Sequence, residues 1–358
     1  MNSLKSAATA TLALVILTAC SSEPPEKWGV EVDGQWIPVI DLHTHTGEWD
    51  MMPPGFQNRL AERVPTGFKW MMGPVTDWIL SPDAILGQMN SAGIYGVGVF
   101  ALYSPHTTGL APNDFVSERV MTNPDRLYGF ASIRGDRWNE DSAEQLAEFE
   151  RGVQLPGMVG VKLAHAHQQI RFDDERFYPI YEIAGRHGKP MYLHTGTSPN
   201  PGTRFEPEYA DARYLEEAVN MYPQAIFILG HTGYDTKERA LTYVDSAIYM
   251  AANYDNVYLE PGALGADRGE HVIDDFVVRL KEGNVLDKVI YGSDGVQFPG
   301  YLKSHLESYV AAMKRNDYTV EEMTQVLSGN FQRVFNIGAP EADIIEDVEE
   351  NENSETES

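Results

Sequence analysis

The sequence has a single cysteine, Cys20, so no disulfide can form within the chain and a small disulfide-stapled scaffold is excluded. Basic residues are scarce, with 27 Lys and Arg against 53 Asp and Glu and a formal net charge of −26. Such a chain lacks the clustered cations that displace counterions from phosphates. This argues against nucleic acid as a partner and against adhesion to anionic lipid through the protein surface. No uncharged apolar run reaches the roughly 20 residues that a membrane-spanning helix needs. There is no internal repeat beyond an alternation of element types, and no GxGxxG loop. What is present is 358 residues, 42% of them hydrophobic, enough for one large domain or two ordinary ones and for a substantial core.

The two ends differ from the rest. Residues 1–20 read MNSLKSAATATLALVILTAC, with a cation at Lys5 and no charge from position 7 to 19, which suits the core of a signal peptide. The run Leu17-Thr18-Ala19-Cys20 resembles the lipobox of bacterial lipoproteins. That resemblance implies removal of residues 1–19, lipidation at Cys20, export, and membrane attachment through lipid; acyl chains contribute about 0.8 kcal/mol per buried methylene. The bland alternative is a plain secretory signal whose cysteine lies near the cut. Ser21 after the cysteine points, by the same resemblance, to the periplasmic face of an outer membrane rather than to the inner membrane. Residues 20–36 read as a tether. Positions 341–358 carry nine Asp or Glu and no Lys or Arg, so 339–358 is expected to be an acidic disordered tail, leaving 37–338 as the folded domain.

Within that domain, short β-branched or aromatic runs alternate with longer amphipathic ones. Strands are predicted at 38–43, 95–103, 127–133, 158–164, 190–194, 225–230, 256–260 and 288–292, with helices at 81–89, 141–150, 174–186, 236–252 and 270–282. Eight βα units predict an α/β fold of the (β/α)₈ TIM-barrel type, with its active site at the C-terminal strand ends. An open doubly wound sheet is the alternative. The strand ends carry polar motifs: DLHTHTG on the first, GVKLAHAH on the fourth, then YLHTG, LGHTG, YLEPG and YGSDG on the fifth to eighth.

His43 and His45 stand two apart on a strand, so both project from one face and can reach a common ion. Alone, such a pair equally suits a chance surface or core feature. Asp41 shares their parity and is placed to orient a ligand histidine. His194 and His231 each close a buried-looking strand and precede Thr-Gly, and either alone could be a satisfied structural histidine. Asp294 at the last strand end can ligate metal and accept a proton from bound water, or simply cap a helix.

HxH on the first strand, Lys on the fourth, His on the fifth and sixth and Asp on the eighth resemble the amidohydrolase superfamily of metal-dependent barrels. GVKLAHAHQQIRFDDERFYPIYEIAGRHGKPMYLHTG, FILGHTG, VIYGSDG and LSGNFQRVF resemble its amidohydrolase-related branch, which includes aminocarboxymuconate semialdehyde decarboxylase. The likeness runs from about residue 39 to 336. It implies metal ligation by His43, His45, His194 and Asp294, with Asp294 also the proton shuttle. His231 is implied either as a ligand of a second ion or as a hydrogen-bond donor to charge developing on substrate. Lys162 matches a lysine that in some relatives is carboxylated and bridges two metals; a buried amine paired with a carboxylate is its alternative. LAHAHQQ departs from the shorter Leu-His-Pro turn of many relatives, leaving open whether His165 or His167 faces the metal.

The long connection 47–80 is rich in Trp and Met and is expected to close over a substrate, or else to pack on the barrel rim or the membrane. Arg134 is a candidate for binding a substrate carboxylate. The leading expectation is a hydrolase using one or two divalent ions, zinc first, on a small carboxylate, ester, lactone or amide. Non-oxidative decarboxylation of an unsaturated or aromatic acid is the alternative, and a catalytically silent binding lipoprotein the third reading. The expected partner is a small-molecule substrate, and a homodimer is left open as the assembly.

Overall fold

The computed structural model describes residues 23–62, 64–264, 269–296 and 298–338. The expected signal segment 1–19, the lipidation site Cys20 and the tail 339–358 lie outside the described residues. Among the described residues, no helix is long and apolar enough to cross a membrane.

The first regular elements form a hairpin, β1 (Val30–Val32) and β2 (Gln35–Ile37), turning at Asp33 and Gly34 with φ of 52° and 82°. Val32 and Ile37 are buried, which corrects the expected tether over 20–36: its second half is folded because its alternate apolar residues reach the core. The barrel strands follow as β3 (Ile40–His45), β4 (Gly96–Phe100), β7 (Leu127–Ala131), β8 (Met158–Leu163), β9 (Met191–His194), β10 (Phe227–Gly230) and β11 (Val257–Glu260). A second hairpin, β5 (Leu102–Ser104) and β6 (Gly109–Ala111), leaves the end of β4. The seven barrel strands form one curled parallel sheet in the order β11-β10-β9-β8-β7-β4-β3.

The predicted eighth strand is not regular. Segment 288–295 nonetheless touches both edges of the sheet: Ile290 N donates to Leu259 O at 2.8 Å, and Leu42 N donates to Tyr291 O at 2.9 Å. His45 N and Gly295 O, then Gly295 N and His43 O, continue this seam at 2.6 and 3.1 Å. Side chains from staves all round the barrel, among them Ile40, Leu42, Phe100, Phe130, Tyr192, Ile228 and Ile290, fill the interior, as a closed barrel requires. Phe331 and Phe335 of helix Asn330–Phe335 plug its floor against Tyr128 and Phe130.

The register of β3 against β4 shifts between Asp41 and Thr44. This bulge brings Leu42 so close to β4 that a Cβ on Gly98 would lie 2.0 Å from Leu42 O. Outside the sheet, helix Pro82–Ala92 starts with Ser81 accepting from Ala84 N and with Pro82 in its first turn. The connection 47–80 is itself folded, with helices Pro54–Glu62 and Met72–Ile79 lying over the strand ends.

Candidate active site

The polar motifs of the first, fourth, fifth, sixth and eighth strand ends all line one cavity of about 360 Å³. His43 and His45 leave the last turn of β3 on the same face, and Asp294 reaches them from the irregular eighth segment, where a left-handed φ of 64° aims its carboxylate inward. His43 Nε2, His45 Nε2 and Asp294 Oδ1 form a triangle with sides of 3.2, 2.9 and 3.1 Å. Ligands bonded at about 2.1 Å to one divalent ion lie roughly 3.0–3.4 Å apart. Two imidazole nitrogens and a carboxylate oxygen at such spacing are a donor set that fits a divalent cation.

The remaining candidates are distributed around that triangle. His231 follows β10 in a turn where His231 and Thr232 take φ of 59° and 46°; its Nδ1 donates to Gly262 O at 3.0 Å, and its Nε2 faces His194 Nδ1 at 3.0 Å. Both ring nitrogens of His231 are therefore engaged within the protein. His194 lines the cavity, and its Nε2 is buried with no hydrogen-bond partner among the described residues. It stands apart from the triangle, its near neighbours being His231 and the His167 ring, 5.0 Å away and perpendicular.

Lys162, near the end of β8, is buried with its amine 3.8 Å from the centre of the Tyr192 ring and 4.8 Å from that of Phe100. Burial pulls this amine down to about 7, with Asp294 and Glu260 opposing the shift. Asp294 and Glu260 act on this amine through their charge, while its direct contacts are aromatic. His167 faces the cavity with Nδ1 3.1 Å from Thr107 Oγ1, and burial followed by the Lys162 charge holds it down to about 3. His165 turns away to Tyr181 and Phe172.

Two sequence expectations change, and two residues without an expected role enter the site. Asp41 does not touch the His43 ring; its Oδ1 accepts from His43 N and Ser293 N, both at 2.9 Å, because the bulge after Asp41 removes it from the parity of the histidines. The carboxylate beside the His43 ring is Glu260 at the end of β11, with its Oε1 3.3 Å from His43 Nδ1. Sequence reading assigned Glu260 no role, although it ends a strand in YLEPG as the histidines end theirs. Arg134 pairs with Asp136 at 2.9 Å and does not line the cavity, so a two-residue loop partner has taken its charge. The arginine that does line the cavity is Arg59, on a cap helix with no strand-end motif to reveal it; it donates to Asn200 Oδ1 at 2.8 Å and to Pro199 O.

The connection 47–80 walls the cavity with Met51, Met52, Phe56, Leu60, Met72 and Ile79, whereas Phe68 and Trp70 point outward. Its two ends are clasped by Arg119, whose guanidinium donates to Thr46 Oγ1, Leu80 O and Glu48 Oε1 at 2.9, 2.8 and 3.0 Å.

Residues 40–337 match the profile of the amidohydrolase family. The chain belongs to the amidohydrolase family. It is accordingly an enzyme of a metal-dependent family built on the barrel described above. Among solved structures, this amidohydrolase is similar to an uncharacterised TIM-barrel protein from Bordetella bronchiseptica, with 19% identity, coverage of 83% of this chain and 98% of that one, and a TM-score of 0.59. It is similar to a probable 2-pyrone-4,6-dicarboxylic acid hydrolase from Acinetobacter baumannii with citric acid bound, with 15% identity, coverage of 83% and 99%, and a TM-score of 0.57. A 5-carboxyvanillate decarboxylase from Novosphingobium aromaticivorans, complexed with manganese and 4-hydroxy-3-methoxy-5-nitrobenzoic acid, gives 17% identity, coverage of 88% and 100%, and a TM-score of 0.58. Comparison with curated proteins gives no match.

Proposed function

We propose that this amidohydrolase is a metal-dependent, non-oxidative decarboxylase of an aromatic or unsaturated carboxylic acid. The observation that carries the reading is a compact ligand triangle, His43, His45 and Asp294, with the Lys162 amine set against two aromatic rings; the second group of possible donors, His43, His231 and Glu260, shares His43 with it. That arrangement suits one ion. The apolar cavity wall suits a planar ring, and the likeness to a manganese-bound decarboxylase holding a nitrobenzoic acid supports the same direction.

His43, His45 and Asp294 would hold the ion, with His194 Nε2, which has no hydrogen-bond partner among the described residues, as candidate fourth donor. When bound, a divalent ion supplies a fixed positive charge that orients the substrate acid and stabilises developing negative charge. The cap residues Met51, Met52, Phe56 and Met72 exclude water from the ring. Lys162 adds a second positive centre at the mouth whenever it is protonated. Asp294, on the edge of the cavity and ionised at rest, takes the proton of the substrate's carboxylic acid and delivers it to the carbon that bore the group: the bond from that carbon to the carboxyl carbon breaks, CO₂ leaves, and the carbon takes the proton, which returns Asp294 to its ionised form. No oxidant or reductant is needed. His231 acts by holding His194, its own ring nitrogens being occupied.

The test is CO₂ release from hydroxylated benzoates and unsaturated acids, run beside ester, lactone and amide hydrolysis, with zinc and manganese as separate arms. CO₂ evolution that Asp294→Asn abolishes supports the reading. Hydrolysis without CO₂, with about two ions per chain and a carboxylated Lys162, overturns it in favour of the hydrolase expected from the sequence.

Lipid attachment at Cys20, facing the periplasm from an outer membrane, belongs to the same proposal and is supported by Leu17-Thr18-Ala19-Cys20 behind an uncharged run. Incorporation of labelled palmitate that Cys20→Ser abolishes is the expected result. A protein released unlabelled overturns it.

A further inference from the structure

Glu260 is fully buried in the barrel, and its carboxylate receives more than one neighbour. Its Oε2 accepts from the Tyr192 hydroxyl at 3.1 Å and from His231 N at 3.0 Å. The same Tyr192 oxygen lies 2.9 Å from His43 Nδ1, and Glu260 Oε1 lies 3.3 Å from that nitrogen. The main chain of Glu260 takes part as well, its carbonyl accepting from Thr232 Oγ1 at 2.9 Å.

The direction of these bonds follows from the donors available. A phenol has one proton, and an ionised carboxylate is its stronger acceptor, so Tyr192 donates to Glu260. The His43 Nδ1 that faces both the Tyr192 oxygen and Glu260 Oε1 must then carry its own proton, since a bare nitrogen lone pair there would meet only oxygen lone pairs. His43 consequently keeps a proton at Nδ1, and Nε2, 3.1 Å from Asp294 Oδ1, is the nitrogen left to face an ion; without the ion it donates to that carboxylate. The carboxylate is held ionised. The Tyr192 hydroxyl and the His231 N–H, both donating to it, favour that form.

The sequence around the carboxylate leaves it room. A Cβ on Gly292 would lie 2.0 Å from Glu260 Oε1, and one on Gly262 would lie 2.6 Å from Oε1 and 2.9 Å from His43 Nδ1. The glycines of YLEPG and YGSDG are thus cut to the shape of this side chain. The turn it seats is also one the backbone does not adopt freely, since His231 and Thr232 are both left-handed.

We propose that Glu260, acting with the Tyr192 hydroxyl, is the positioning residue of the site, fixing the tautomer and ring direction of His43 and seating the His231 turn. Its consequence for ion binding rests on His43 being an ion ligand; the tautomer itself does not. Side-chain ¹⁵N NMR of the metal-free protein tests the first part, and calorimetric titration with Mn²⁺ and with Zn²⁺ tests the second. Wild type should show His43 protonated at Nδ1. In Glu260→Gln and in Tyr192→Phe that population should fall, and affinity for the ion should drop about 10–100-fold. Because both variants break one relay, the double variant should lose little more than Glu260→Gln alone. Circular dichroism and melting check the fold; if Glu260→Gln does not fold, Tyr192→Phe, which removes a single oxygen, decides. An unchanged tautomer in the variants, or unchanged ion affinity, overturns the proposal. So does a second ion in wild type that Glu260→Gln removes, because Glu260 would then be a ligand. Failure of wild type to bind either ion would overturn the ion reading in its own right, while the NMR arm still decides the role of Glu260.

Discussion

Asp294 sits between two imidazoles, with Oδ1 at 2.9 and 3.1 Å from the His45 and His43 nitrogens. Burial would raise it, but His43 and the bonds to both rings hold it well below the ordinary carboxylate range. Asp294→Asn should therefore remove both a proposed ion ligand and the proposed proton carrier. CO₂ release should fall by about 10²–10⁴-fold, measured as turnover with saturating manganese. Lys162 gives a second prediction, of stability rather than rate. Its amine is pulled from an ordinary 10.5 to about 7, so the unfolded chain binds the proton more readily than the folded one between those values. The stability from this group is fully present above the ordinary lysine value and is lost as pH falls through about 7. Each pH unit inside the window changes stability by about 1.4 kcal/mol. Lys162→Met abolishes that dependence. Urea unfolding at pH 7 and pH 9 should show wild type gaining on the variant by roughly 2–3 kcal/mol between the two.

The cap over 47–80 is an element whose two ends meet at one guanidinium. Arg119 contacts Thr46, Glu48 and Leu80, and so closes the base of a connection that walls the cavity with Met and Phe side chains. Arg119→Ala should leave the barrel folded, because Thr46 Oγ1 still donates to Leu80 O at 2.8 Å. The expected loss of stability is about 1–2 kcal/mol. KM should rise several-fold, since a loosened cap no longer presents a formed apolar wall; steady-state kinetics beside a melting curve separates the two effects. The eighth stave shows a different relation between pattern and structure. Val289-Ile290-Tyr291 has the β-branched and aromatic run of a strand, yet only single bonds tie it to β11 and β3. The left-handed Asp294 and the contacts of Ser293 with Asp41 and His43 bend it out of a regular ladder.

At the scale of the whole molecule, the ligand triangle spans the seam that closes the barrel. His43 and His45 belong to the first stave and Asp294 to the last, so a bound ion would fasten the two edges joined by Leu42–Tyr291 and His45–Gly295 bonds. Chelation should lower the melting temperature, with a free-energy change of about 2.7 kcal/mol for an ion at a hundred times its Kd. Hydrogen exchange at the amides of Leu42, His45 and Gly295 should quicken more than at those of β8 and β9, as followed by mass spectrometry. Equal protection with and without metal would separate the ion from the seam. The alternating βα pattern determined the barrel, since period-two runs and amphipathic helices can bury their faces in few ways. The same pattern placed His43, His45, His194, His231 and Asp294 at one mouth, because parallel strands deliver all their C-terminal ends to one face. Only the tertiary structure decided that Asp41 holds backbone, that Arg134 is taken by Asp136 while Arg59 reaches the cavity, and that Glu260 and Tyr192 face the His43 ring. Those facts depend on a one-residue bulge, a local ion pair, and contacts between staves far apart in sequence, and none leaves a periodic trace along the chain.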